Sequence, residues 1–133
     1  MGEIHKKIIL EGTECTVEVN ALIDTGASDT IISKDIADKI GYEYIEPKDF
    51  TVAKKGEILT GAIIELKSMN IVGCIRPKPR VSYAKGLSEE MVLGTNTLQE
   101  MGIIIDMERD DITIKECKLK GKIPILTAIK KEE

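Results

Sequence analysis

The sequence contains few of the residues on which several common enzyme classes depend. It has no tryptophan, one phenylalanine and one histidine among 133 residues, so its core must be aliphatic. The single histidine, His5, lies in a charged N-terminal segment, where we expect it to be solvated. A catalytic set of the Ser-His-Asp or Cys-His type would depend on this one residue, and we therefore set that class aside.

Cysteines are also few, and they lie far apart. Cys15, Cys74 and Cys117 are odd in number and form no Cys-x-x-Cys motif, so neither a disulfide framework nor a zinc site is indicated. We therefore predict free, reduced thiols. The sequence shows no glycine-rich phosphate loop before a helix either, and we predict no metal and no cofactor.

Long apolar runs and an excess of positive charge are absent as well. No run approaches the ~20 residues needed to span a bilayer, and the start of the chain lacks the apolar core of a signal peptide. These features predict a cytoplasmic protein that does not bind membranes. The net charge of −4 provides no general attraction for nucleic acid. With 42% hydrophobic and 32% charged residues, the chain is typical of one folded globular domain.

The residues that are present favour β-structure. Apolar residues alternate with polar ones over 17–23 and 58–66, which is the period of a strand with one buried face. Short helices are predicted at Lys34–Ile40, between a Ser33 cap and Gly41, and at about 96–101. We further expect a loop at 46–49, between two strands, and a buried strand at 103–105. The prediction is a mainly β single domain over residues 1–133.

One acidic residue stands in an unusual context. Asp24 follows the apolar residues 21–23 and precedes Thr25 and Gly26, and an unpaired carboxylate at the end of a buried strand is energetically costly. In the alternative interpretation, Asp24 opens an ordinary Asx-turn, and a bare Asp-Thr-Gly is common by chance. Here, however, the tripeptide continues as Ala27-Ser28, and Val92-Leu93-Gly94 followed by a helix recurs later in the chain.

On these residues the chain resembles the retropepsin-like (retroviral-type) aspartic proteases, including their cellular relatives. The matching segments are 21–32, which resembles the active-site loop, and 91–102, which resembles the hydrophobic-hydrophobic-Gly strand and its helix. The resemblance covers roughly residues 6–115 and leaves 116–133 as a C-terminal extension. It implies a single-domain acid-protease β-barrel with one or two short helices.

The resemblance also implies residue roles. Asp24 would be the catalytic carboxylate, Thr25 would brace the loop across a dimer axis, and Gly26 would present its carbonyl to a bound peptide. The other expected substrate-binding residues are three loop residues and six flap residues: Ala27, Ser28 and Asp29, then Ala53, Lys54, Lys55, Gly56, Glu57 and Ile58.

Two departures from the family pattern are visible. Retroviral members often carry an arginine at the position of Thr95 and an aspartate at that of Ser28, and these two residues pair. Both are missing here. The flap tip at 54–57 is also shorter and more charged than the usual glycine-rich tip, which makes substrate preference unpredictable.

Chemistry of this type needs two carboxylates that share a proton. The chain has one Asp-Thr-Gly, so the resemblance implies a homodimer in which each protomer contributes Asp24, with a peptide or protein as the substrate. Residues 112–126 and the N-terminal strand are both candidates for the dimer contact. Ile31, Ile58, Val81 and Ile104 are candidates for apolar subsites.

Two other functions are weighed against this one. A non-catalytic peptide-binding or dimerisation module on the same fold would account for the charged flap. A phosphoryl-transfer enzyme that uses Asp24 as nucleophile would need a second nearby acid or a phosphate loop, and the sequence shows neither.

Overall fold

The first hairpin follows directly from the alternation of apolar residues. Strands β1 (Ile4–Glu11) and β2 (Thr16–Ile23) pair antiparallel, and Ile8, Val19 and Ala21 are almost completely buried. A computed structural model describes residues 3–52 and 57–117 of the chain.

The remaining strands extend this hairpin into a large sheet. They are β3 (Ile31–Ser33), β4 (Glu43–Val52), β5 (Glu57–Glu65), β6 (Ser68–Ile71), β7 (Cys74–Pro77), β8 (Arg80–Ala84) and β9 (Met91–Leu93). Nine strands form one sheet in the order β4-β5-β8-β3-β9-β2-β1-β6-β7, and β10 (Ile103–Asp106) pairs separately with β11 (Asp111–Ile114). The predicted mainly β fold with two short helices is confirmed.

Both helices lie close to their predicted positions, and α1 has the predicted caps. Helix α1 (Lys34–Ile40) begins after Ser33, whose hydroxyl accepts a hydrogen bond from the Ile36 amide at 3.2 Å. It ends at Gly41, which has φ +83° and donates to the Ala37 carbonyl at 2.9 Å; this left-handed conformation favours glycine. Helix α2 (Thr95–Glu100) follows β9 directly.

The core is aliphatic, as the shortage of aromatic residues predicts. Its largest fully buried side chains come from six of the strands, from α1 and from Leu66 after β5: Ile8, Leu10, Ile32, Ile40, Ile64, Leu66, Met69, Ile71, Met91, Leu93 and Val19. Burial of such side chains contributes roughly 1.5–3 kcal/mol each and holds the strand ends in place.

The predicted loop at 46–49 is wrong. Strand β4 runs through this segment without a break, with a register shift between Tyr44 and Glu46. Pro47 is tolerated because β4 is the edge strand of the sheet and pairs with β5 alone, so the missing amide removes no hydrogen bond to a second neighbour.

The prediction of a strand at 103–105 is confirmed, but the prediction that it is a buried strand is wrong. Strand β10 lies outside the nine-stranded sheet and pairs with β11 alone, and the Ile104 side chain is 47% exposed. Ile103 and Ile105 are partly buried and pack against the core, so only Ile104 of this apolar run is exposed.

Cys74 and Cys117 form a disulfide, contrary to the predicted free thiols, while Cys15 is free and exposed. The two residues are 43 positions apart in sequence, yet their Cα atoms lie 5.7 Å from each other. The fold brings the segment after β11 against the edge strand β7, and sequence spacing gives no signal of this contact. The bond fastens the β10–β11 hairpin to the sheet.

The tip of the predicted flap, residues 53–56, and residues 118–133 lie outside the described residues. Among the residues that are described, no helix has the length and apolar composition required to cross a membrane.

Replacing Cys117 by serine should lower the free energy of unfolding by about 2–4 kcal/mol, because the bond closes a long loop in the unfolded chain. Denaturant unfolding under non-reducing conditions measures this loss, and Cys15→Ser is the matched control with no expected change. Equal stability of the two variants would contradict the disulfide.

Candidate active site

The site begins where two parallel strands end side by side. Strand β9 lies between β2 and β3 in the sheet, and Ile23 of β2 pairs with Leu93 of β9. The next residue, Asp24, donates its backbone amide to the Leu93 carbonyl at 3.0 Å. Because the chain must cross the end of β9 to reach β3, residues 24–30 form a loop directly over Gly94.

The Asp24 carboxylate is held by its own loop. Its Oδ1 accepts a hydrogen bond from the Gly26 amide at 2.8 Å, and the Asp24 carbonyl accepts from the Ala27 amide at 3.2 Å. This is the geometry of an Asx-turn. It therefore fits both an ordinary turn and the loop of a catalytic carboxylate. Asp24 is half-buried rather than buried, and within residues 3–52 and 57–117 no cation pairs with it.

The first turn of α2 is capped by this loop. The first amides of a helix have no partner inside the helix, and α2 has no side-chain cap. Instead, the Thr95 amide donates to the Ala27 carbonyl at 2.8 Å and the Asn96 amide to the Ser28 carbonyl at 3.1 Å. The two segments on which the family resemblance rests therefore satisfy each other's backbone groups.

Gly94 permits this close approach. A Cβ atom at this position would lie 2.3 Å from the Asp29 carbonyl oxygen and 2.9 Å from that of Ala27. Any other residue would push the loop away from the end of β9.

Loop and edge strand together form an open cleft. Its cavity of about 300 Å³ is lined by Gly26, Ala27, Ser28, Asp29 and Ile31 on one side and by Lys48, Asp49, Phe50 and Thr51 of β4 on the other; we call it the loop–flap cleft. Thr25, Gly26 and Ser28 are exposed there, whereas Ala27 and Asp29 are half-buried.

An ion pair joins the two sides of the loop–flap cleft. The Lys48 ammonium lies 2.9 Å from Asp29 Oδ2, and each side chain is about one-third exposed. Solvent screens such a pair, so its contribution to stability is at most about 1 kcal/mol. Sequence reasoning did not identify Lys48 as a residue of the cleft. It predicted a loop at 46–49, whereas Lys48 lies on strand β4, opposite Asp29.

The predicted subsite residues fall in different places. Ile31 lines the loop–flap cleft, and Val81 lines an adjoining cavity of about 280 Å³ that also includes Asp29 and Lys48. Ile58 is 66% exposed on β5. Ile104 lies in a separate apolar groove of about 740 Å³, formed with Leu98, Gln99, Gly102, Ile103, Lys115 and Glu116; we call it the hairpin groove.

Comparison with known proteins agrees with this geometry. The model of the family described as "gag-polyprotein putative aspartyl protease" matches residues 13–100, which is more than half of the 133 residues and spans both segments of the site. Among curated proteins, no sequence matches this chain.

Several solved structures share the fold. The retroviral protease-like domain of Ddi1 from Leishmania major aligns with a TM-score of 0.65 and 16% identity over 87% of this chain and 90% of that one. A retropepsin-like aspartic protease from Rickettsia conorii aligns with a TM-score of 0.57 and 22% identity, over 79% of this chain and 77% of that one. EIAV protease complexed with the inhibitor HBY-793 aligns with a TM-score of 0.58 and 17% identity, over 76% of this chain and 89% of that one.

Gly94→Ala should lower the free energy of unfolding by about 3 kcal/mol, since the added methyl meets backbone oxygens that cannot move independently. The control is Gly73→Ala, whose Cβ meets nothing within 4 Å but whose φ of +86° costs about 1–2 kcal/mol. Denaturant unfolding compares the two variants. A loss for Gly94→Ala no larger than for Gly73→Ala would contradict the contact.

Proposed function

Because the chain belongs to this gag-polyprotein aspartyl protease family, we propose that it is an aspartic endopeptidase active as a homodimer. The observation that carries the proposal is the Asp24 carboxylate, which stands at the joined ends of β2 and β9 and has no cation partner among the described residues. It lies next to an open cleft in which an extended peptide has room to bind.

In this proposal the two Asp24 carboxylates of a dimer share one proton. The ionised carboxylate activates a water that attacks the peptide carbonyl, and the protonated one donates to the carbonyl oxygen. Thr25, which is exposed, braces the loop across the two-fold axis, and the Gly26 carbonyl accepts from the peptide. Ala27, Ser28 and Asp29, with the flap at residues 53–58, hold the substrate.

Two acids of the β10–β11 hairpin, Asp106 and Asp111, are poor sources for the second carboxylate. Asp106 accepts hydrogen bonds from the Glu108 and Arg109 amides of its own turn. Asp111 accepts from Lys6 at 2.8 Å and from the Ile112 amide at 2.7 Å, and these contacts, the Lys6 hydrogen bond foremost, lower the pKa of the Asp111 carboxyl. Both acids therefore have structural partners in the β10–β11 hairpin, which supports a second copy as the source.

The fold narrows the choice of dimer contact. Strand β1 pairs with β2 along its whole length and with β6 over Ile9–Glu11, so its free backbone edge is confined to residues 4–8. Within residues 3–52 and 57–117, strands β10 and β11 pair only with each other, and Ile104 and Met107 are 47% and 52% exposed. We propose that the β10–β11 hairpin, with the hairpin groove, forms the contact between protomers.

The link from β11 to the sheet should survive at mildly acid pH, where peptide cleavage is expected. The lowered pKa of Asp111 means that its ion pair with Lys6 contributes above the unfolded-state pKa of about 3.8 and is lost only as the pH falls through the folded-state value. The Lys6–Asp111 ion pair therefore stays formed at mildly acid pH and helps to hold β11 against β1.

We also propose a cytoplasmic location. Disulfides are rare in the cytosol except in hyperthermophiles, so the Cys74–Cys117 bond accords with this location only for a heat-adapted source. We likewise propose that residues 1–133 form one domain, with its core at about 6–115 and a C-terminal extension at 116–133.

Asp24→Asn should abolish peptide cleavage while leaving the dimer intact, because the amide cannot act as the base. The measurement is digestion of a peptide library at several pH values, with sedimentation to check assembly. Asp35→Asn, on α1 away from the cleft, is the control. Retained cleavage in Asp24→Asn would contradict the mechanism, and binding of a statine peptide by a wild-type protein that cleaves nothing would favour the non-catalytic module.

Ile104→Lys should raise the dimer dissociation constant by tenfold or more, since it places an unpaired charge in the proposed contact. Sedimentation equilibrium measures this change. Ile9→Lys is the matched control, because Ile9 is 41% exposed on β1 in the nine-stranded sheet. Equal dissociation constants for the two variants would contradict the assignment of the hairpin.

A further inference from the structure

A pair of buried hydroxyl groups lies beneath the Asp24 loop. Thr30, at the end of the loop, is 2% exposed, and Thr97, in α2, is 6% exposed. Their Oγ1 atoms lie 2.6 Å apart. Buried polar groups are costly without partners, so each hydroxyl depends on the other. The contact links the end of the Asp24 loop to helix α2.

The pair belongs to a short network that closes completely. Thr30 Oγ1 accepts a hydrogen bond from the Gly94 amide at 3.1 Å. Asn96 Oδ1 lies 3.3 Å from Thr30 Oγ1 and 3.4 Å from Thr97 Oγ1. Whichever threonine donates to the other, the remaining proton is directed at Asn96 Oδ1, so both hydroxyl protons find an acceptor.

We propose that Thr97 is a positioning residue for the reaction: through Thr30 it fixes the height of the Asp24 loop above the end of β9. This inference rests on the proposed function and adds to it a residue that does not touch the substrate. The backbone bonds from Thr95 and Asn96 hold the middle of the loop. At its end, where β3 begins, the hydroxyl pair acts together with the Thr30 carbonyl, which accepts a hydrogen bond from the Ser82 amide at 3.0 Å.

The chemical consequence concerns the spacing of the two carboxylates. Like charges held close together separate the apparent pKa values of the pair, and the separation decreases as the distance grows. Without the Thr97 hydroxyl, the Thr30 hydroxyl keeps only its contacts with Gly94 and Asn96, so the end of the loop moves more freely and the average spacing between each Asp24 and its partner increases. Loss of the Thr97 hydroxyl should therefore reduce kcat and bring the two limbs of the pH profile together, with little change in KM.

The test compares Thr97→Val, which keeps the shape and removes the hydroxyl, with Thr97→Ser, which keeps the hydroxyl. We expect Thr97→Val to lower kcat about tenfold, with KM within twofold of wild type and a narrower pH profile of kcat/KM. Thr97→Ser should restore kcat and profile width, and Thr16→Val, at an exposed threonine of β2, should change neither. Thr30→Val combined with Thr97→Val should cost little more than either alone, because the two hydroxyls act as one unit.

Amide hydrogen exchange makes the test independent of hydrolysis. Exchange of the amides at residues 24–30 should rise by tenfold or more in Thr97→Val, and it should stay at the wild-type rate in Thr97→Ser. Unchanged loop exchange, or a Thr97→Val enzyme with kcat and profile width of wild type, would overturn the inference. A wild-type protein that cleaves no peptide yet shows the exchange difference would instead contradict the proposed function and leave the loop contact standing.

Discussion

The structure depends most on the backbone hydrogen bonds that join the loop after β2 to the start of α2. The Asp24, Thr95 and Asn96 amides all donate to carbonyl groups of the opposite segment. Each such bond adds only about 1 kcal/mol of net stability, but an amide left without a partner costs about 1–3 kcal/mol. The loop therefore cannot move away from β9 by itself. A single carboxylate is placed by the ends of two parallel strands rather than by side-chain contacts around it.

Much of this arrangement is readable from the sequence. The alternation in β2 and β5 and the Ser33 cap with Gly41 reflect local rules of strand and helix, because each depends on neighbouring residues. The mainly β fold follows from these rules. The pairing of the Asp24 segment with the Gly94 segment follows instead from the family resemblance, and the exposure of Thr25 and Ser28 is compatible with the roles that the resemblance implies.

The features that the sequence did not predict depend on contacts between distant elements. Pro47 suggested a loop, and only the edge position of β4 makes a proline acceptable in that strand. Cys74 and Cys117 are joined because β7 and the segment after β11 meet in space. Ile104 was assigned to the substrate site from its apolar character alone, whereas the separate pairing of β10 and β11 places it in the hairpin groove. The Thr30–Thr97 contact likewise requires the crossing of the loop over β9.

The account rests on two copies of Asp24 working in one site, and mixed dimers test this most directly. Wild-type and Asp24→Asn chains are unfolded together and refolded at fixed total concentration and varying proportion, and peptide cleavage is measured. If both carboxylates are needed, only wild-type pairs are active, and the rate should follow the square of the wild-type fraction. A rate that falls in simple proportion to that fraction would show that one carboxylate suffices, and would contradict the shared site.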